Sequence, residues 1–86
     1  MPRISAFYGI IIYMYYMDHN PPHFHAVYAG FEAIISIETG HLIEGKLPLR
    51  AQSLVSEWCK EHRKELLENW TRCIEMKPLN KIEPLQ

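Results

Sequence analysis

Residues 18 to 26 read DHNPPHFHA, which puts three of the chain's five histidines within seven residues and two prolines between the first and the other two. Imidazole titrates nearest neutral pH and is the commonest transition-metal ligand, so the segment points to acid/base or metal chemistry. In the acid/base reading, His23 and His25 serve as general base and general acid in cleaving a phosphodiester, with His19 as a third candidate. Arg3 or Lys46 would then contact the phosphate. In the metal reading, His19, His23 and His25 form a His-x3-His-x-His set with Asp18 adjacent, a spacing that matches no recognised zinc signature. In a third reading the imidazoles bridge strands and Asp18 accepts backbone N–H groups in an Asx turn. Spacing alone leaves all three open.

The elements around the cluster decide what it faces. The run IIIYMYY, residues 10 to 16, is rich in β-branched and aromatic residues and lies between Gly9 and the Asn-Pro-Pro turn, so it predicts a strand. Alternation puts Ile10, Ile12, Met14 and Tyr16 on one face and Ile11, Tyr13 and Tyr15 on the other. HFHAVYA predicts a second strand, Gly30 a turn, EAIISIE a third strand, and TGHLIEG a tight turn into a short fourth. From Pro48, apolar residues recur at 51, 54, 55, 58, 66, 70 and 73, with His62 half-apolar at its place in the series. That period predicts an amphipathic helix, broken near residues 61 to 64 and ended by Pro78. Trp58 and Trp70 fall on its buried face, and the mixed charges from Lys60 to Glu68 on its solvated one.

The expected architecture is α+β: a small antiparallel meander of three to four strands, packed on one face by a C-terminal helix or helix pair. Residues 1–46 form the sheet, 48–76 the helical layer, and 77–86 an extended tail lying along the sheet or on a partner. One helical layer covers one sheet face, so the other must meet water, a second subunit or a partner chain. With Phe24, Ala26 and Tyr28 facing the core, His23, His25 and Val27 point onto the uncovered face. The two imidazoles then stand roughly 6.6 Å apart between Cα atoms, close enough to converge on one ligand. Tyr13 and Tyr15 make that face a candidate contact surface.

At 86 residues, 48% of them hydrophobic, the chain suits a single domain. Nine Lys and Arg against ten Asp and Glu leave a net charge of -1, so no overall field draws it to nucleic acid. The start lacks the layout of a secretory signal, and the longest apolar run falls far short of the ~20 residues that cross a membrane. A cytoplasmic protein with no membrane partner is expected. Cys59 and Cys73 lack any zinc or CxxC spacing and read as free structural thiols.

The segments PRISAFYGIIIYMYY, DHNPPHFHA, IETG, IEGKLP, EW followed by ELLENW, and KIEPL, together spanning essentially the whole chain, resemble the bacterial domain-of-unknown-function family numbered four-one-six-zero. That resemblance implies one half of a gene pair, regarded in some members as the toxin of a type II toxin-antitoxin module. Others carry a loose label of transcriptional regulator. It implies a co-encoded antitoxin-like partner and no established reaction, and places the distinctive polar residues at Asp18, His19, His23 and His25. Three readings follow. The first is a toxin acting on RNA or translation through its histidines. The second is a non-catalytic interaction module or homodimer using the uncovered face, with Asp18, Arg3, Tyr13 and Tyr15 as contact residues. The third is a metal-binding protein. No organic cofactor is expected in any of them.

Overall fold

The computed structural model describes residues 2–16 and 18–86. Five strands run in chain order across one antiparallel sheet: β1 (Arg3–Phe7), β2 (Ile10–Tyr13), β3 (His23–Tyr28), β4 (Phe31–Ser36) and β5 (Leu42–Gly45). Two helices follow, α1 (Leu49–Glu61) and α2 (Arg63–Ile74). The α+β meander is therefore as expected, with one strand more than the sequence suggested. The additional strand is β1, whose five residues RISAF are short and interrupted by a serine. Its hairpin partner is fixed by Tyr8 and Gly9, both at positive φ (49° and 82°), the two-residue turn whose twist matches that of antiparallel strands. Ala29 and Gly30 repeat the device between β3 and β4 (46° and 85°).

The alternation predicted for residues 10 to 16 holds from Ile10 to Tyr15, while Tyr16, expected on the buried face, is only half-buried because the chain has left the ladder. Ile10, Ile12 and Met14 are fully buried, whereas Ile11, Tyr13 and Tyr15 are half-buried on the opposite face. The ladder with β3 spans only Ile11 to Tyr13, so the chain leaves the sheet before the Asn-Pro-Pro turn. The helices cover the first face. Ala51, Val55, Trp58 and Cys59 of α1, then Leu66, Trp70 and Cys73 of α2, follow the helical period and are buried in the core. The break falls at His62, whose φ of −118° departs from helical geometry. Trp58 lies at the centre, with its ring centroid 5.2 Å from that of Phe7 and 5.6 Å from that of Phe24.

The C-terminal segment belongs to this core. Ile82 and Leu85 are buried, the Ile82 N–H donates to the Ile4 carbonyl at 2.8 Å, and the Trp58 indole N–H donates to the Glu83 carbonyl at 2.8 Å. Asn69, fully buried on α2, exchanges two hydrogen bonds with the backbone of Asn80. A buried amide left unpaired costs several kcal/mol, so this paired amide acts as a clamp that holds the tail against α2. The tail thus lies on the outer edge of β1 and on the helices. Among the described residues, no helix is long and apolar enough to cross a membrane.

Ile82→Ala is expected to destabilise the fold by about 2–4 kcal/mol, because it empties a buried site that the tail alone fills. Urea denaturation of the two proteins measures this directly; a loss below about 0.5 kcal/mol would mean that the tail is dispensable.

Candidate functional site

Asp18, His23 and His25 meet at the corner where the Asn-Pro-Pro turn enters β3 beside α2. His23 Nε2 lies 2.8 Å from Asp18 Oδ2, and His25 Nε2 lies 3.5 Å from the same oxygen. The two imidazole centroids are 5.4 Å apart, so the rings do converge as their spacing predicts. Their exposure differs from the expectation. His23 is buried, only 5% exposed, with the Trp70 ring of α2 at 5.2 Å, rather than standing free on the uncovered face. The reason is position: His23 is the first residue of β3, at the end of the sheet over which α2 passes. His25, two residues on, is half-buried on the bare face.

Both nitrogens of His23 are engaged. Its Nδ1 stands 2.7 Å from the Pro21 carbonyl oxygen, which can only accept, so Nδ1 carries a proton. A neutral His23 would then turn a lone pair from Nε2 toward a carboxylate oxygen 2.8 Å away, which is repulsive. Either a second ring proton, which makes the contact a hydrogen bond to Asp18, or a metal ion between the two atoms removes that repulsion.

Asp18 is itself oriented. Its Oδ1 accepts the His19 backbone N–H at 3.0 Å, leaving Oδ2 for the imidazoles. Burial pushes the carboxyl up. The His19 N–H, the hydrogen bond and charge of His23 and the hydrogen bond from His25 outweigh that and hold it below its ordinary value. His19 stands apart, its side chain 91% exposed and its Nδ1 3.3 Å from the other carboxylate oxygen.

On the bare face, one register row runs Arg3, Tyr13, His25, Ile34, Glu44 across the sheet. Arg3 therefore sits two strands from His25, about 10 Å, and among the described residues no hydrogen bond or ion pair ties Arg3 or Lys46 to the cluster. The Tyr15 ring meets His25 edge-on at 4.3 Å. Burial, then the nearby Glu32, Tyr13 and Asp18, hold its phenol above the ordinary value. Glu32, which the sequence reading did not single out, brings Oε2 to 3.6 Å from His25 Nδ1. That Nδ1 is buried and lacks a hydrogen-bond partner among the described residues. The signal in sequence was register: Glu32 pairs with Val27, on the same face as His25. A hollow of 240 Å³ lined by His25, Glu32, Ile34 and Glu44 opens alongside.

Among the described residues, Asp18, His23 and His25 are thus the group that could hold a metal ion, with one ligand atom from each all within 4.8 Å of one another. His19 does not join them. Cys59 and Cys73 are free and buried, and burial raises both thiols, as expected of structural cysteines.

The sequence model of a domain of unknown function (DUF4160) matches residues 9–71, which hold strands β2 to β5, α1, most of α2 and the whole Asp18 cluster. The chain belongs to this family. No curated protein and no solved structure matches it. The DUF4160 match leaves β1 and the tail outside its bounds, although the two are hydrogen-bonded to each other.

The depressed Asp18 pKa sets a pH dependence. A carboxylate whose folded value lies below its unfolded value, ordinarily about 3.9, contributes stability above that pH and loses it as pH falls through the folded value. Wild type should therefore be more stable than Asp18→Asn at pH 6, with the difference shrinking below about pH 4. Denaturation midpoints at a series of pH values test it; a gap that stays constant down to pH 2 would contradict the assignment.

Proposed function

We propose that this protein is the toxin-side member of a bacterial two-chain module and that its bare sheet face is where the co-encoded antitoxin-like partner docks. The observation that carries the reading is the composition of that face. Ile11, Tyr13, Val27 and Ile34 stand on it, half-buried only by one another and their neighbours, while the buried residues of both helices pack into the opposite side. An antiparallel sheet tolerates a solvated face when that face is polar; one built of Ile, Val and Tyr is suited to association. Glu32 and Glu44 rim the surface and favour a partner that brings basic side chains. The likeness to a family whose members are encoded in pairs supports the same reading.

Within the module, action on RNA or translation falls to His25 rather than His23. His23 has both nitrogens committed and little exposure, whereas His25 lies half-buried on the bare face, beside the hollow lined by Glu32 and Glu44. A homodimer through the same face is the competing occupant, and the loose label of transcriptional regulator is compatible with either assembly.

Induced expression in a bacterial host, with and without the neighbouring gene, tests the proposal. Arrest by the wild type should be relieved by the neighbour. His25→Ala, folded and accumulating equally, should not arrest growth, and Ile34→Glu should arrest growth that the neighbour no longer rescues. Absence of arrest together with failure to co-purify with the neighbour-encoded chain would overturn the reading; a stable dimer of this chain alone, abolished by Ile34→Glu, would assign the face to a second copy.

A further inference from the structure

We propose that Asp18, His23 and His25 bind one first-row divalent transition-metal ion, with Glu32 holding His25 in the ligating tautomer and at least one coordination position left for water or an external ligand. This goes beyond the docking reading and stands without it.

Donor geometry comes first. Ligands at about 2.0–2.1 Å from a tetrahedral metal stand about 3.3 Å from one another. The two separations from Asp18 Oδ2, 2.8 Å and 3.5 Å, bracket that edge length, and all three donor atoms lie within 4.8 Å of one another. The two edges to Asp18 need shifts of a few tenths of an ångström, and the edge between the two imidazole nitrogens, at most 4.8 Å, would close by up to about 1.5 Å through rotation of the His25 ring.

Orientation comes second. A ligating histidine characteristically donates its other N–H to a carbonyl or carboxylate, which fixes the tautomer and aims the lone pair. His23 does this already through Pro21, which aims Nε2 at the Asp18 carboxylate and makes it the nitrogen available to a metal. A metal ion in place of a proton between the two atoms would bond both of them. His25 is one step from the same state: with Nε2 on the metal, Nδ1 must carry the proton. The acceptor nearest that unpartnered nitrogen is Glu32 Oε2, at 3.6 Å, within reach of a small side-chain adjustment. Metal binding therefore gives a buried orphan nitrogen its partner and completes a carboxylate–histidine–metal chain.

The donor set selects the ion class. Two imidazoles and one carboxylate suit zinc, cobalt, nickel or iron(II), whereas calcium and magnesium take oxygen ligands. Three protein ligands leave a fourth position, the arrangement of sites that bind exchangeable ligands rather than closed structural ones. His19 has no place in the set, because it reaches the other oxygen of Asp18 and is exposed to solvent.

The test uses the full chain stripped with a chelator, titrated calorimetrically with Zn²⁺ and followed by visible absorption with Co²⁺. One equivalent of Zn²⁺ should bind, with the d–d bands of a low-coordinate cobalt site and no comparable binding of Mg²⁺. His25→Ala and Asp18→Ala should each weaken binding about a hundredfold or more, and Glu32→Gln about tenfold, the range set by outer-shell partners. His19→Ala should leave affinity unchanged. Circular dichroism checks that each stripped variant folds; if the ligand variants do not, Glu32→Gln against His19→Ala decides. Binding of less than half an equivalent, survival of tight binding in His25→Ala, equal binding of Mg²⁺, or a loss in His19→Ala as large as in Glu32→Gln would each overturn the proposal.

Discussion

A five-stranded sheet has two faces, and this chain supplies one helical layer to cover them. Helices of 13 and 12 residues bury Trp58, Leu66, Trp70 and Cys73 against Ile10, Ile12, Phe24 and Ile35. The opposite face, with Ile11, Tyr13, Val27 and Ile34, stays partly exposed to water. Covering apolar surface contributes roughly 25 cal/mol per Å² before the costs of association, so a second chain on this face would gain by burying it. The C-terminal segment does not relieve it, because it is committed to the β1 edge and to the Trp58 indole.

The Asp18 cluster lies where the covered and bare sides meet. α2 buries His23 under Trp70, while β3 carries His25 out onto the open face, and a single carboxylate oxygen addresses both imidazoles. Taking a carboxylate and two imidazoles out of water is unfavourable unless their donors and acceptors are satisfied. Pro21, the His19 N–H and Asp18 satisfy most of them; His25 Nδ1, facing Glu32, is the conspicuous exception. A group left unpaired in an otherwise tightly bonded cluster is where a ligand or partner would act.

Much of the architecture was legible in the chain because it rests on period. The alternation from Ile10 to Tyr15 and the helical spacing from Ala51 to Cys73 encode which side of each element is apolar, and Gly30 marks the turn between strands. β1 escaped notice because five residues with a serine at their centre carry too little alternation, and its Tyr8–Gly9 turn was the only strong local signal. The convergence of His23 and His25 was likewise readable, since residues two apart on a strand share a face.

The sequence by itself determined the order of elements, the identity of the core faces and the nearness of two imidazoles, because these depend on neighbours a few residues apart. Only the tertiary structure decided that Asp18 displaces His19 from the cluster, that Trp70, 47 positions beyond His23, closes over it, and that Glu32 approaches His25 from the next strand. It also decided that the tail packs along β1 and into the core of its own chain, through Asn69 and Trp58. Those outcomes depend on strand register and helix docking, which bring together residues distant in the chain, and no local period records where such residues will meet.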